Sequence, residues 1–157
     1  DVETSLEVSL DASSESYPLH TFNLLNEGVM QKIAKAFKLQ PSEIISATLE
    51  AGDVKAEGFT GPADGKVAVG LTNPDGKVSY AYSANGIGFW IAADGTASSW
   101  GDAPIYYEYD AVGYGLTVGH NPGHSEKGKT YTIKPTMVYN KGGKLHKAVI
   151  TIKMKFA

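Results

Sequence analysis

The C-terminal stretch constrains the fold more than any other part of this sequence. Apolar residues alternate there with polar or charged ones, and a period of two is typical of a strand with one buried face. The apolar set is Ala148, Ile150, Ile152, Met154 and Phe156, and the opposite set includes Lys147, Thr151, Lys153 and Lys155. This pattern predicts a β-strand that closes a hydrophobic core.

Similar alternation recurs through most of the chain and predicts about nine strands. Leu6, Val8 and Leu10 indicate a first strand. Later, residues 66–71 and a return strand through Val78, Tyr80 and Tyr82 flank an Asn73-Pro-Asp-Gly turn, and further strands are predicted at 87–91, 105–109, 115–119 and 131–139. The fold class is therefore mainly β, and we expect a jelly-roll-like β-sandwich of two antiparallel sheets; a curved, barrel-like sheet is the alternative.

One short amphipathic helix is predicted near the N-terminus, with Asn26 as its N-cap. Its apolar residues recur at helical spacing, and its lysines fall on the opposite side. Pro41 disfavours helical geometry at the preceding residue and should end the helix, after which residues 42–45 form a short second turn. We expect this helix to cover an end or an edge of the sandwich.

Composition excludes several classes of function. The chain has 157 residues, a net charge of −3 and no cysteine. We therefore expect a single domain over residues 1–157, with no disulfide, no thiolate chemistry and no basic surface for nucleic acid. No apolar run is long enough to span a bilayer, and the first residues lack the pattern of a signal peptide.

No catalytic residue, metal or cofactor is predicted. His120 and His124 have the spacing of a helical zinc pair, but Pro122 and Gly123 between them break a helix, so a solvated loop is the better interpretation. The three Asp-Gly pairs lack the spaced carboxylates of a calcium loop, and turn chemistry explains them. Carboxylates near the aromatic cluster, at Asp94, Asp102, Glu108 and Asp110, could be paired for glycoside hydrolysis, but the sequence does not place them together.

The aromatic residues are the remaining candidates for function. Residues 85–102 contain both tryptophans beside glycine turns and acidic residues. Trp90 should point away from the face formed by Ile87, Phe89 and Ile91, either outward or beneath a loop, and Trp100 should be partly exposed among small polar residues. An exposed indole stacks well on a sugar ring, so the predicted ligand-binding residues are Trp100, Trp90, Asp102 and Tyr106, and the predicted partner is a glycan. Burial of either indole in the core is the alternative.

These residues carry a resemblance to a known family. Gly88-Phe-Trp-Ile-Ala-Ala-Asp-Gly, followed by Ser99-Trp-Gly-Asp and later by Lys129-Thr-Tyr-Thr-Ile-Lys, resembles the DUF4859 family of secreted and surface proteins from gut Bacteroidetes. The similarity runs from the early helix to the last strand. The resemblance implies a non-catalytic accessory module in carbohydrate utilisation, secreted or held at the cell surface as an outer-membrane lipoprotein, with its lipid anchor outside this sequence. A structural or protein-interaction module of a cell-surface assembly is the alternative.

Overall fold

The computed structural model describes residues 1–80 and 86–157, in which the chain forms eleven β-strands and three helices. The strands are β1 (Val2–Leu10), β2 (Pro18–Asn23), β3 (Val67–Thr72), β4 (Val78–Ser79), β5 (Ile87–Ile91), β6 (Ala97–Ser98), β7 (Ile105–Asp110), β8 (Gly115–His120), β9 (Thr130–Ile133), β10 (Pro135–Lys141) and β11 (Lys144–Phe156). The helices are α1 (Val29–Phe37), α2 (Pro41–Ala47) and α3 (Ala51–Val54). The positions of Tyr82 and Asn85, which the sequence placed in the return strand and the tryptophan segment, fall outside the described residues.

The strands form two sheets that pack face to face as a β-sandwich, as predicted. Sheet A has the order β1-β11-β10-β3-β4, and β9 also pairs with β11. Sheet B has the order β2-β8-β7-β5-β6. Neither sheet closes on itself within the described ranges, so the barrel-like alternative does not apply.

Strand β11 organises sheet A. All five apolar residues predicted for its buried face are buried, and Ile152 is paired with Leu6 of β1 on one side and Ile133 of β9 on the other. The expectation of purely antiparallel sheets was wrong at one place, because β1 runs parallel to β11. Parallel neighbours need a long connection, and here almost the whole chain lies between the two strands.

The long strand predicted over residues 131–139 is divided in two. Its first part, β9, pairs with the C-terminal half of β11, while β10 pairs with the N-terminal half of β11 and with β3. Pro135 begins β10 and therefore lies at the start of an interior strand rather than at an edge. Since proline has no N–H to donate, the first position of a strand is one that it can occupy.

The core lies between the sheets and is covered at one end by α1. The buried face of α1 includes Met30 and Ile33, and the ring of Phe37 lies 5.3 Å from that of Tyr139 in β10. The predicted N-cap was wrong, since α1 begins after Gly28. Instead, the side chain of Asn23 accepts hydrogen bonds from the backbone N–H groups of Leu25 and Asn26, in the turn that precedes α1.

Helices α2 and α3 extend the helical region beyond the sequence prediction. Pro41 is the first residue of α2, preceded by a capping box between Gln40 and Glu43. The predicted second turn is thus part of a longer helix, and proline suits that first position because its N–H would be unpaired there. The four-residue helix α3 was not predicted.

Candidate functional site

Trp100 lies on the connection between β6 and β7 and is 64% exposed. The connection turns at Gly101, whose φ of 120° favours glycine, and its carbonyl accepts a 2.8 Å hydrogen bond from the side-chain amide of Asn121. Asn121 is itself buried, and its backbone N–H donates to the carbonyl of Pro104. The segment that carries the exposed indole is therefore anchored to the end of β8.

Asp102 is exposed and lines an open depression of about 280 Å³ beside this segment. Its walls come from the β5–β6 turn, the β6–β7 connection and the β8–β9 connection. The polar and aromatic residues that line it are Ser98, Asp102, His124, Glu126, Lys129 and Tyr131. Trp100 does not line the depression itself, but it lies in the chain between Ser98 and Asp102, which do.

The β8–β9 connection supplies most of the charge of this depression. The Lys129 ammonium lies 3.7 Å from a carboxylate oxygen of Glu126 and 5.6 Å from the centre of the Tyr131 ring. The hydroxyl of Tyr131 accepts a 3.1 Å hydrogen bond from the backbone N–H of Glu126. The side chains of Lys129 and Glu126 are largely exposed, so this ion pair contributes little stability and both groups are accessible to a ligand.

Trp90 and Tyr106 lie elsewhere, on the face of sheet B that points away from the core. They are opposite each other on β5 and β7, with ring centres 5.0 Å apart. Tyr17, which precedes β2, meets Trp90 edge-on at 6.2 Å. Tyr106 is only 7% exposed, and burial together with the charge of Glu108 raises its pKa to about 12. Trp90 is half-buried, and the buried ring of Tyr106 packs beside it on the same face of the sheet.

The structure therefore divides the four predicted site residues between two surfaces. Asp102 lines the depression, and Trp100, two residues before it in the chain, is exposed as expected. Trp90 and Tyr106 form a separate cluster, and Trp100 has no ring contact with any aromatic residue in the described part of the chain. The alternation of Trp90 with its core-facing neighbours correctly predicted that it points away from them.

Sequence reasoning missed the residues that distant segments contribute. His124, Glu126 and Lys129 lie in the polar loop between the strands predicted at 115–119 and 131–139, and Tyr17 lies in the loop after the first predicted strand; neither loop was predicted to contribute to a site. The polar composition of these loops indicated exposure but carried no signal of which strands they approach. Only the tertiary fold brings them to the depression and to Trp90.

Within the described ranges, no group of three or more histidine or acidic side chains is placed to hold a metal ion. His120 is buried, with Nδ1 2.7 Å from the Ser125 hydroxyl, whereas His124 lines the open depression. The Asp94 carboxylate accepts a hydrogen bond from the backbone N–H of Thr96, which lowers the pKa of that carboxyl. Asp75 accepts an equivalent bond from Lys77, as turn chemistry predicts.

The fold and these surfaces define a two-sheet β-sandwich that presents tryptophan and tyrosine side chains outside its core. The chain belongs to the DUF4859 family, described as a domain of unknown function, whose model matches residues 16–144. The match includes both tryptophans and ends at the first residue of β11. Comparisons with curated proteins and with solved structures gave no match. No helix in the described residues is long and apolar enough to cross a membrane.

Proposed function

We propose that this domain is a non-catalytic carbohydrate-binding module of a glycan-utilisation system, with Trp100 as its principal contact. The observation that carries the proposal is the 64% exposure of Trp100 on a segment whose residues Ser98 and Asp102 line an open depression. Tryptophan is on average a highly buried residue and its amphipathic indole is enriched at binding surfaces, so an indole held in water by an anchored turn favours a ligand-binding role.

The chemistry of the depression supports a sugar ligand. The indole offers a flat apolar face to the C–H groups of a pyranose ring, while sugar hydroxyls need both donors and acceptors. Asp102 and Glu126 supply carboxylate acceptors, and Lys129 supplies a donor. Their arrangement around an open depression suits a single sugar unit of a longer chain.

The carboxylates support binding rather than hydrolysis. A general acid is usually held in apolar surroundings that keep it protonated, but Asp102 and Glu126 are both exposed to solvent. Of the other acidic candidates, Asp94 belongs to a turn, and Glu108 and Asp110 lie on the outward face of sheet B. The family resemblance supports a secreted or lipid-anchored protein at the cell surface of Bacteroidetes.

The proposal is tested by titrating soluble host and plant polysaccharides while following tryptophan fluorescence. We expect a shift with at least one glycan, and we expect it to be smaller in Trp100→Ala and in Asp102→Asn. Leu145→Ala is the matched control, since Leu145 is also an exposed apolar residue, at 49%, but lies on β11. Binding that survives Trp100→Ala unchanged would remove this site from the proposal.

A protein-interaction module is the second candidate, and strand β1 is the observation that favours it. This nine-residue strand is at the edge of sheet A and pairs only with β11 among the described residues. A long edge strand can accept a further strand from a partner. Sedimentation that shows concentration-dependent self-association, together with no response to any glycan, would favour this function over the first.

A further inference from the structure

The outward face of sheet B has the form of a second binding surface. The core-facing residues of β5, β7 and β8 alternate with residues that point away from the core. We call this second set the sheet-B face. It consists of Gly88 and Trp90 on β5, Tyr106, Glu108 and Asp110 on β7, and Gly115, Thr117 and Gly119 on β8.

One end of the sheet-B face is an aromatic platform. Gly119, Tyr106 and Trp90 are neighbours across three strands. A Cβ atom on Gly119 would lie 2.6 Å from Cζ of Tyr106 and 2.2 Å from the carbonyl oxygen of Tyr17, so the bare glycine allows the Tyr106 ring to lie against the sheet. Tyr17 remains 42% exposed and meets the half-buried Trp90 edge-on, so the exposed ring of the platform is that of Tyr17.

The other end carries hydroxyl and carboxylate groups along the same strands. A depression of about 200 Å³ there is lined by Thr21, Glu108, Asp110 and Thr117 together with Ile87 and Tyr109, and the hydroxyls of Thr21 and Thr117 are 2.7 Å apart. Gly88 adds no side chain between this depression and Trp90, and a Cβ there would lie 2.5 Å from the Tyr107 carbonyl. The four residue steps from Tyr106 to Asp110 correspond to about 13 Å, longer than one sugar ring.

The charges on the sheet-B face select the kind of ligand. Glu108 and Asp110 are its only charged members, and both are exposed. They can accept hydrogen bonds from hydroxyl groups, but they would repel the carboxylates or sulfates of an acidic polysaccharide, and no lysine of the face compensates them. Aromatic rings followed by hydroxyl and carboxylate groups suit the apolar faces and hydroxyl edges of neutral sugars.

We infer that the sheet-B face is a second glycan-binding surface, separate from Trp100, that takes a linear neutral polysaccharide along β7 and excludes polyanionic chains. The inference rests on the proposed function, because it assumes that the domain binds glycans. It adds the position of a second site and the class of glycan that this site accepts.

The two tryptophans allow the two sites to be observed separately. In a ¹⁵N-labelled sample each indole N–H gives its own signal, and the Trp100→Phe spectrum assigns them. The probes are cellohexaose, xylohexaose, mannohexaose and laminarihexaose, with hexagalacturonate as the anionic comparison. We expect at least one neutral probe to shift the indole signal of Trp90 and the backbone amide signals of Gly88, Glu108 and Thr117. The same shifts should occur in Trp100→Ala. Hexagalacturonate should shift none of these signals.

Variants on the face measure its contribution. Tyr17→Ala removes an exposed ring and Glu108→Gln removes an acceptor charge, and each should raise the Kd obtained from the shifts at this face about tenfold, which corresponds to about 1.4 kcal/mol. Lys153→Ala, an exposed residue on the outward side of sheet A, is the control and should leave them unchanged.

The outcomes separate the inference from the proposed function. Shifts confined to the Trp100 indole and residues 98–102 would overturn the inference and leave the proposed function intact. Equal binding of hexagalacturonate at the sheet-B face would overturn the neutral specificity. An absence of shifts at both indoles with all four neutral probes would overturn both.

Discussion

Replacing Trp100 by alanine tests whether this indole serves binding or folding. Trp100 is 64% exposed, so the buried remainder is 100 − 64 = 36% of its surface. A fully buried tryptophan removes roughly 200 Å² from water, so Trp100 buries about 70 Å², worth at most about 2 kcal/mol at ~25 cal/mol per Å². Residual shielding in the unfolded chain lowers that value further.

Phe89→Ala is the internal comparison for this prediction. Phe89 is 3% exposed on the core face of the neighbouring strand β5, and its truncation should cost roughly 3 to 5 kcal/mol. Urea denaturation of both variants and the parent measures the two costs, provided the slope with denaturant is unchanged. If the urea midpoint fell as far in Trp100→Ala as in Phe89→Ala, the assignment of Trp100 to a binding surface would be refuted.

Two further predictions concern stability. Ile152 is fully buried between β1 and β9, so Ile152→Ala should lower the free energy of unfolding by roughly 2 to 5 kcal/mol, whereas Lys153→Ala should be nearly silent; equal urea midpoints would contradict the assigned face. The pKa of Tyr106 is raised to about 12, while an unfolded tyrosine ionises near pH 10. As pH rises, the unfolded chain therefore loses this proton before the folded chain does, and the free energy of unfolding should fall between about pH 10 and about pH 12. The fall should be less steep in Tyr106→Phe. Identical pH profiles of stability for the parent and this variant would contradict the raised pKa.

Local sequence patterns predicted the strands well wherever one face of the strand is buried. The alternation in β11 identified its buried face correctly, and the Asn73-Pro-Asp-Gly turn correctly predicted the β3–β4 hairpin. The same patterns failed where pairing changes along one stretch of chain. Tyr131, Ile133, Met137 and Tyr139 keep the same two-residue period, yet β9 and β10 pair with different partners. The period of a strand reports which of its faces is buried and carries no information on which strands lie beside it.

The candidate site was only partly predictable. The small polar neighbours of Trp100 correctly indicated that this indole is exposed, and the opposite orientation of Trp90 relative to Phe89 followed from strand geometry. The sequence did not predict that these two tryptophans lie on different surfaces. Their separation depends on how the β6–β7 connection turns at Gly101 and is held by Asn121.

By itself, the sequence determined the β class of the fold, the inward faces of its strands and the choice of aromatic residues as candidates for binding. These properties follow from the order of neighbouring side chains along the backbone. The tertiary structure alone decided that the first and last strands lie side by side, that Glu126 and Lys129 join Asp102 at one depression, and that Tyr17 packs on Trp90. Each of these contacts joins residues far apart in the chain, and only the pairing of the strands and the packing of the two sheets brings them together.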